Sequence, residues 1–195
     1  MEAGKYSCHQ ITQPSIHPEK DTGMKNIPHP GTNFPLVALP TIAGDSVTLG
    51  QPSSGKSQLI VVYRGLHCPI CKKYLGQLNG MKANFEAMDV EIVSVSTDPK
   101  GKAEQFSEEA HLDITVAYDL SIEQARELGL FISTPLSDRE TDAPFAEPGV
   151  FFVRPDGSLH FSDVASAPFC RPDLEMIQKG VAYISEKGYP PRGTD

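Results

Sequence analysis

Tryptophan is absent from this 195-residue chain, and aromatic residues of all kinds make up only 8% of it. Positive charge is short as well: the formal net charge is −8, which excludes nucleic acid and anionic membrane surfaces as natural partners. No apolar run approaches the ~20 residues of a membrane-spanning helix. The first ten residues, MEAGKYSCHQ, lack the charged-then-apolar order of a secretory signal, so a cytoplasmic, reducing setting is expected. Cysteine is scarce too, at four residues. Two of them, Cys8 and Cys170, lie far from the others in sequence, which speaks against a disulfide scaffold. Hydrophobic content of 39% suffices for the core of one domain.

What the chain does have is concentrated between Gln58 and Tyr74, QLIVVYRGLHCPICKKY. The apolar run Leu59 to Tyr63 shows no alternation, the pattern of a strand buried on both faces. Such a strand delivers its carboxyl end to the crevice where open α/β sheets do chemistry. There the sequence reads His67-Cys68-Pro69-Ile70-Cys71 and runs on into a helical pattern. Pro69 suits the first helical position, where its missing N–H costs no intrahelical bond. Cys68 is then the N-cap, and the orphan N–H groups and dipole of the helix start favour its thiolate. A fall of about two units in thiol pKa would raise thiolate at neutral pH roughly 25-fold and lower intrinsic nucleophilicity roughly eightfold. The net gain in attack is a few-fold, so improved leaving ability matters as much. Two thiols at this spacing can close into a disulfide and reopen. The same letters are also half a zinc site, which Cys8 and His9 could complete, or an inert buried pair.

These residues resemble the thioredoxin-fold superfamily, and most of all its peroxiredoxin-like (AhpC/TSA-type) branch whose members carry CxxC. The resemblance implies an α/β fold: a thioredoxin-like three-layer α/β/α sandwich with a central mixed sheet, over residues 33–188. It leaves residues 1–32 as an irregular arm and 189–195 as a tail. Two alignments compete. In the thioredoxin frame Cys68 attacks and Cys71 resolves. In the peroxiredoxin frame Cys71 stands at the peroxidatic position, Arg64 replaces the motif proline and Cys68 replaces the motif threonine. The peroxiredoxin triad is therefore incomplete. The implied function is reduction of peroxides by cycling Cys68 and Cys71, with disulfide reduction as the alternative. No organic cofactor or metal is implied; the implied partners are a thiol reductant such as thioredoxin or glutathione and, as in many relatives, a second copy in a homodimer.

The rest of the chain adds supporting residues. His67 stands where thioredoxins have tryptophan, and offers either an imidazolium that lowers the Cys68 pKa or a neutral proton relay. The resemblance makes Pro148 a cis proline lying against Cys68. Glu147 would then serve as base for Cys71, since the buried aspartate of thioredoxins is replaced here by Val62. The string Gly50 to Ser57 satisfies GxxxxGK[ST], but β-rich residues follow where a phosphate loop needs a helix, so a turn is expected and Lys56 binds no nucleotide. A hairpin is expected over 34–49, one helix over 71–88, and a strand over 90–95. Asp98 is expected to cap the next helix. A short strand over 114–118, a helix ending at Gly129, a loop over 132–148, two strands over 150–162 and a last helix from Asp173 to Glu186 complete the pattern. Cys170 is expected to be small and half-buried.

Overall fold

In the computed structural model, residues 27–138 and 140–194 are described. The centre is β3 (Ser57–Val62), whose apolar run is inside on both faces. Leu59 and Val61 face one cluster with Leu75, Leu78, Phe106 and Ile177. Ile60 and Val62 face the other, with Val93, Leu120, Leu128 and Phe151. That division follows from the period of two along a strand. It forces a covering layer on each side.

The sheet has five strands in the order β5-β4-β3-β8-β9. Parallel pairing joins β3 to β4 (Val90–Val95) and β4 to β5 (Thr115–Ala117), while β8 (Gly149–Val153) and β9 (Leu159–Val164) run antiparallel. The mixed sheet and three layers match the expected class. One layer holds α1 (Pro69–Gly80), α2 (Lys82–Glu86), α3 (Lys100–Glu109) and α5 (Leu174–Lys187); α4 (Ile122–Glu127) lies on the other side. The expected hairpin is β1 (Val37–Pro40) with β2 (Ser46–Leu49), turning at Gly44 with φ 95°. Ser57 is already the first residue of β3, so the GxxxxGK[ST] string ends in a strand; Ser53 ties that turn to the Glu91 carboxylate.

Three boundaries differ from expectation. The helix expected over 71–88 breaks at Met81 into α1 and α2, just after Gly80, where a residue of low helix propensity ends the run. The loop over 132–148 contains a small pair, β6 (Ile132–Ser133) with β7 (Phe145–Ala146). Asp98 does not cap α3, whose N-cap is Pro99 without a side-chain bond. Two other helices do carry side-chain caps. Ser121 and Gln124 form a capping box on α4, and Asp173 caps α5. The tail folds back, with the Tyr189 carbonyl 2.9 Å from His160 Nε2. Residues 1–26, with Cys8 and His9, lie outside the described residues.

Gly149 pairs with Val62 at the carboxyl end of β3, and a Cβ there would lie 2.5 Å from Leu130 Cδ2 and 3.0 Å from the Phe151 ring. Gly149→Ala is expected to destabilise the fold by about 1–3 kcal/mol through overpacking, measured by denaturant unfolding.

Candidate active site

Past Val62 the chain leaves the sheet and must turn into α1. Gly65 makes that turn with φ 131°, and a Cβ on it would lie 2.6 Å from Asp98 Oδ2. Asp98 comes this close because its carboxylate accepts the Leu66 N–H at 2.7 Å. Its burial holds its pKa above the ordinary value. A pre-proline residue is kept extended, and here the side chain reaches back to the site loop instead of capping α3. The loop then places Cys68 as the N-cap of α1, with Pro69 in the first turn.

Both thiols are free and buried, Cys68 at 1% exposure and Cys71 at 0%. The Cys71 backbone N–H donates to Cys68 Sγ at 3.3 Å. The Cys68 pKa falls to about 6: the Cys71 thiol hydrogen bond contributes most, burial opposes, and the Cys71 N–H, Arg171 and Arg64 add to the fall. Cys71 moves the other way, raised by burial and by its bond to Cys68 and eased by Arg171. Two thiols this close share one negative charge, and the Cys71 N–H at the start of α1 favours it on Cys68.

Two guanidinium groups attend the pair. Arg171, in the segment before α5, donates from Nη2 to Cys71 Sγ at 2.9 Å. Its Cζ lies 5.2 Å from the Tyr74 ring centre, and Tyr74 Oη donates to the Pro172 carbonyl at 2.9 Å. Arg64 and the Cys68 sulfur stabilise each other's charged forms. Arg64 also pairs with Glu140 (Nη2–Oε1 2.9 Å) and Glu147 (Nε–Oε2 3.2 Å), over the face of Phe145.

Several expected roles change. The Glu147–Pro148 bond is trans, as no peptide bond among the described residues is cis. The trans form is the lower-energy isomer of an X–Pro bond, and the Pro148 carbonyl here accepts the Ala165 N–H beside the β8–β9 pair. Glu147 is not a free base for Cys71, because Ser133 Oγ occupies its Oε1 at 2.6 Å and Arg64 faces Oε2. His67 packs on Phe145 with ring centres 4.6 Å apart. Burial, and then Arg64, lower its pKa, so the ring is neutral at neutral pH and does not supply the imidazolium. Lys72 pairs with Glu109. Cys170 is exposed, not half-buried. Among the described residues no group of three or more His, Cys, Asp or Glu could hold a metal.

A family model described as AhpC/TSA matches residues 30–162. The chain belongs to the AhpC/TSA family. Solved structures agree in fold. A peroxiredoxin 6 mutant of Arenicola marina is 17% identical with TM-score 0.70, covering 81% of this chain and 74% of that one. A peroxiredoxin-like protein of Aquifex aeolicus is 19% identical with TM-score 0.65, covering 79% and 86%. Mycobacterium tuberculosis AhpC is 14% identical with TM-score 0.67, covering 82% and 99%. No curated protein matches the sequence.

Within this AhpC/TSA chain, sequence reasoning missed Arg171, Glu140 and the true role of Asp98. Gly65 was the available clue to Asp98, since a glycine beside a buried strand marks close approach of another group. Arg171 gave no clue, because it lies 100 residues from Cys71 along the chain.

In Cys170→Ser protein, ultraviolet thiolate absorbance is expected to rise with a midpoint near pH 6, and the step should vanish in Cys68→Ser. Cys71→Ala should raise the midpoint by about one unit, as its thiol donor is lost.

Proposed function

We infer that this AhpC/TSA-family protein is a thiol peroxidase in which Cys68 attacks the peroxide and Cys71 resolves the product. The observation that supports this reading is the asymmetry of the pair: Cys68 is the N-cap of α1 and accepts the Cys71 N–H, which lowers its pKa, whereas burial and the bond to Cys68 raise that of Cys71. At pH 7 a thiol of pKa about 6 is roughly 90% thiolate. In the first step the Cys68 thiolate bonds to one peroxide oxygen as the O–O bond breaks. The departing oxygen takes a proton from solvent and leaves as alcohol or water. Cys68 is now a sulfenic acid and no longer carries the charge. The Cys71 sulfur then displaces hydroxide from it, closing the Cys68–Cys71 disulfide, and the thiol proton goes to the hydroxide to form water. Two equivalents of an external thiol, from a thioredoxin-type protein or glutathione, reopen the disulfide and are themselves oxidised. Arg171 fits the second step, since its contact with Cys71 favours thiolate once Cys68 has lost its charge.

The same assignment serves disulfide exchange, and one observation favours that second reading. The positions of the motif proline and threonine hold Arg64 and Cys68, so the usual groups that orient a peroxide are replaced. In that reaction the Cys68 thiolate forms a mixed disulfide and expels a thiolate, and Cys71 then displaces the bound half. Either cycle requires a reducing compartment such as the cytoplasm, and a homodimer is carried over from the family.

Stopped-flow mixing of reduced protein with hydrogen peroxide and with a model disulfide separates the two. Cys68→Ser is expected to abolish both reactions. Cys71→Ser is expected to keep the first peroxide step and stop at a sulfenic acid that dimedone traps. Fast reaction with the disulfide alone would assign the second function. A Cys68→Ser protein that still consumed peroxide through Cys71 would overturn the order of attack.

A further inference from the structure

Two carboxylates stand beside a guanidinium that serves a buried thiolate, and simple electrostatics says they oppose that thiolate. Glu147 is itself only 3% exposed. Burying a carboxylate is costly unless it is paired and hydrogen-bonded, and Glu147 is both. Ser133 Oγ donates to Oε1 at 2.6 Å, and Oε2 lies 3.2 Å from Arg64 Nε in an ion pair without hydrogen-bond alignment. Glu140 spans the other side, taking Arg64 Nη2 on Oε1 at 2.9 Å and the Leu136 N–H on Oε2 at 2.8 Å. Phe145 closes the arrangement, with its ring centre 4.6 Å from Arg64 Cζ. The guanidinium is thus held from the segment that joins β6 to β8, while Nη1 lies outside both ion pairs.

We propose that Glu147, together with Glu140, is a positioning residue that fixes Arg64 in the turn leading to Cys68, so that a clamped guanidinium orients the peroxide in place of the missing motif residues. The proposal rests on the peroxidase reading above and names what does the orienting. As the O–O bond breaks, negative charge builds on the departing oxygen, and a cation already in place stabilises it without reorganising. A free arginine, with its flexible stem, would have to be ordered at that moment. Of the other charges here, Arg171 contacts Cys71 and its cation also favours the Cys68 thiolate, but its donor is committed to the second sulfur. Lys72 pairs with Glu109, Lys102 pairs with Asp142, and burial lowers the pKa of His67. Asp98 is tied to the Leu66 N–H.

The test is Glu147→Gln in Cys170→Ser protein, read three ways: the thiolate midpoint, the rate with iodoacetamide, and the rate with hydrogen peroxide. Gln keeps the size and still accepts from Ser133. The midpoint is expected to rise by about one unit. Above that midpoint the peroxide rate is expected to fall roughly tenfold or more, while the iodoacetamide rate holds, because alkylation needs the thiolate but not the oriented oxygen. Glu147→Asp should recover part of the loss. A midpoint that falls, the result of simply removing a nearby negative charge, would overturn the proposal, as would parallel changes in the two rates. If Glu147→Gln does not fold, Glu140→Gln decides the question alone, with the same directions and smaller sizes. A wild-type protein with a low midpoint and no peroxide reaction refutes the peroxidase reading, and with it the peroxide-orienting role, while the direction of the midpoint shift still reports whether the clamp sets Arg64. An ordinary wild-type midpoint refutes both.

Discussion

One negative charge, held on a sulfur that is almost wholly buried, is the constraint around which this molecule is arranged. Burial alone would drive both thiols up in pKa and leave them inert. What reverses that for Cys68 is its surroundings: the Cys71 thiol and N–H donate to it, and the nearby cations of Arg171 and Arg64 add to the fall. Arg171 comes from a segment 100 residues beyond Cys71. The fold can therefore be seen as the device that brings residues 64, 68, 71 and 171 together around one sulfur. The sheet supplies the rigid base: β3, locked between its neighbours, ends at the turn where Gly65 and Asp98 fix the loop.

The second sulfur obeys the same electrostatics in reverse. While Cys68 is a thiolate, Cys71 is a donor to it and stays protonated. In the proposed cycle, oxidation of Cys68 would remove both the charge and the acceptor, leaving the cation of Arg171 to act on Cys71. That order would need no moving part to enforce it, because each thiol would become reactive only when the other's charge state permits. A pair coupled this tightly titrates as a unit, so the two roles are properties of the pair rather than of either residue.

Much of this was legible in the sequence where the information is local. The unalternating run of β3, Pro69 at the helix start and the two-residue spacing of the thiols each state a geometric fact on their own, and the structure has all three. The start of the last helix at Asp173 was legible for the same reason. Local rules failed where a side chain had two possible employers. Asp98 precedes a helix and was expected to cap it, but the backbone of a loop more than thirty residues earlier claims its carboxylate. Glu147 was expected beside Cys71, but Arg64 and Ser133 claim it. Arg171 was invisible because nothing in its neighbourhood refers to Cys71. The trans bond at Pro148 marks a limit of resemblance: a family feature was carried onto a position whose own backbone has no need of it.

The departure from the family motif at residue 64 then makes physical sense as an exchange of one kind of order for another. A proline holds its place by covalent restraint and brings no charge. An arginine brings charge but no restraint, since its long stem must be held by something else. Restraint has to come from outside the residue, and carboxylates are the groups that match a guanidinium's geometry. Their negative charge partly cancels what Arg64 offers Cys68, which is why a second cation on the other sulfur matters. With Arg64 alone, the pairs to Glu140 and Glu147 would leave the site net negative before any thiolate formed. Arg171, whose Nη2 contacts Cys71, offsets that negative charge and lets the clamp and the thiolate coexist in one buried site.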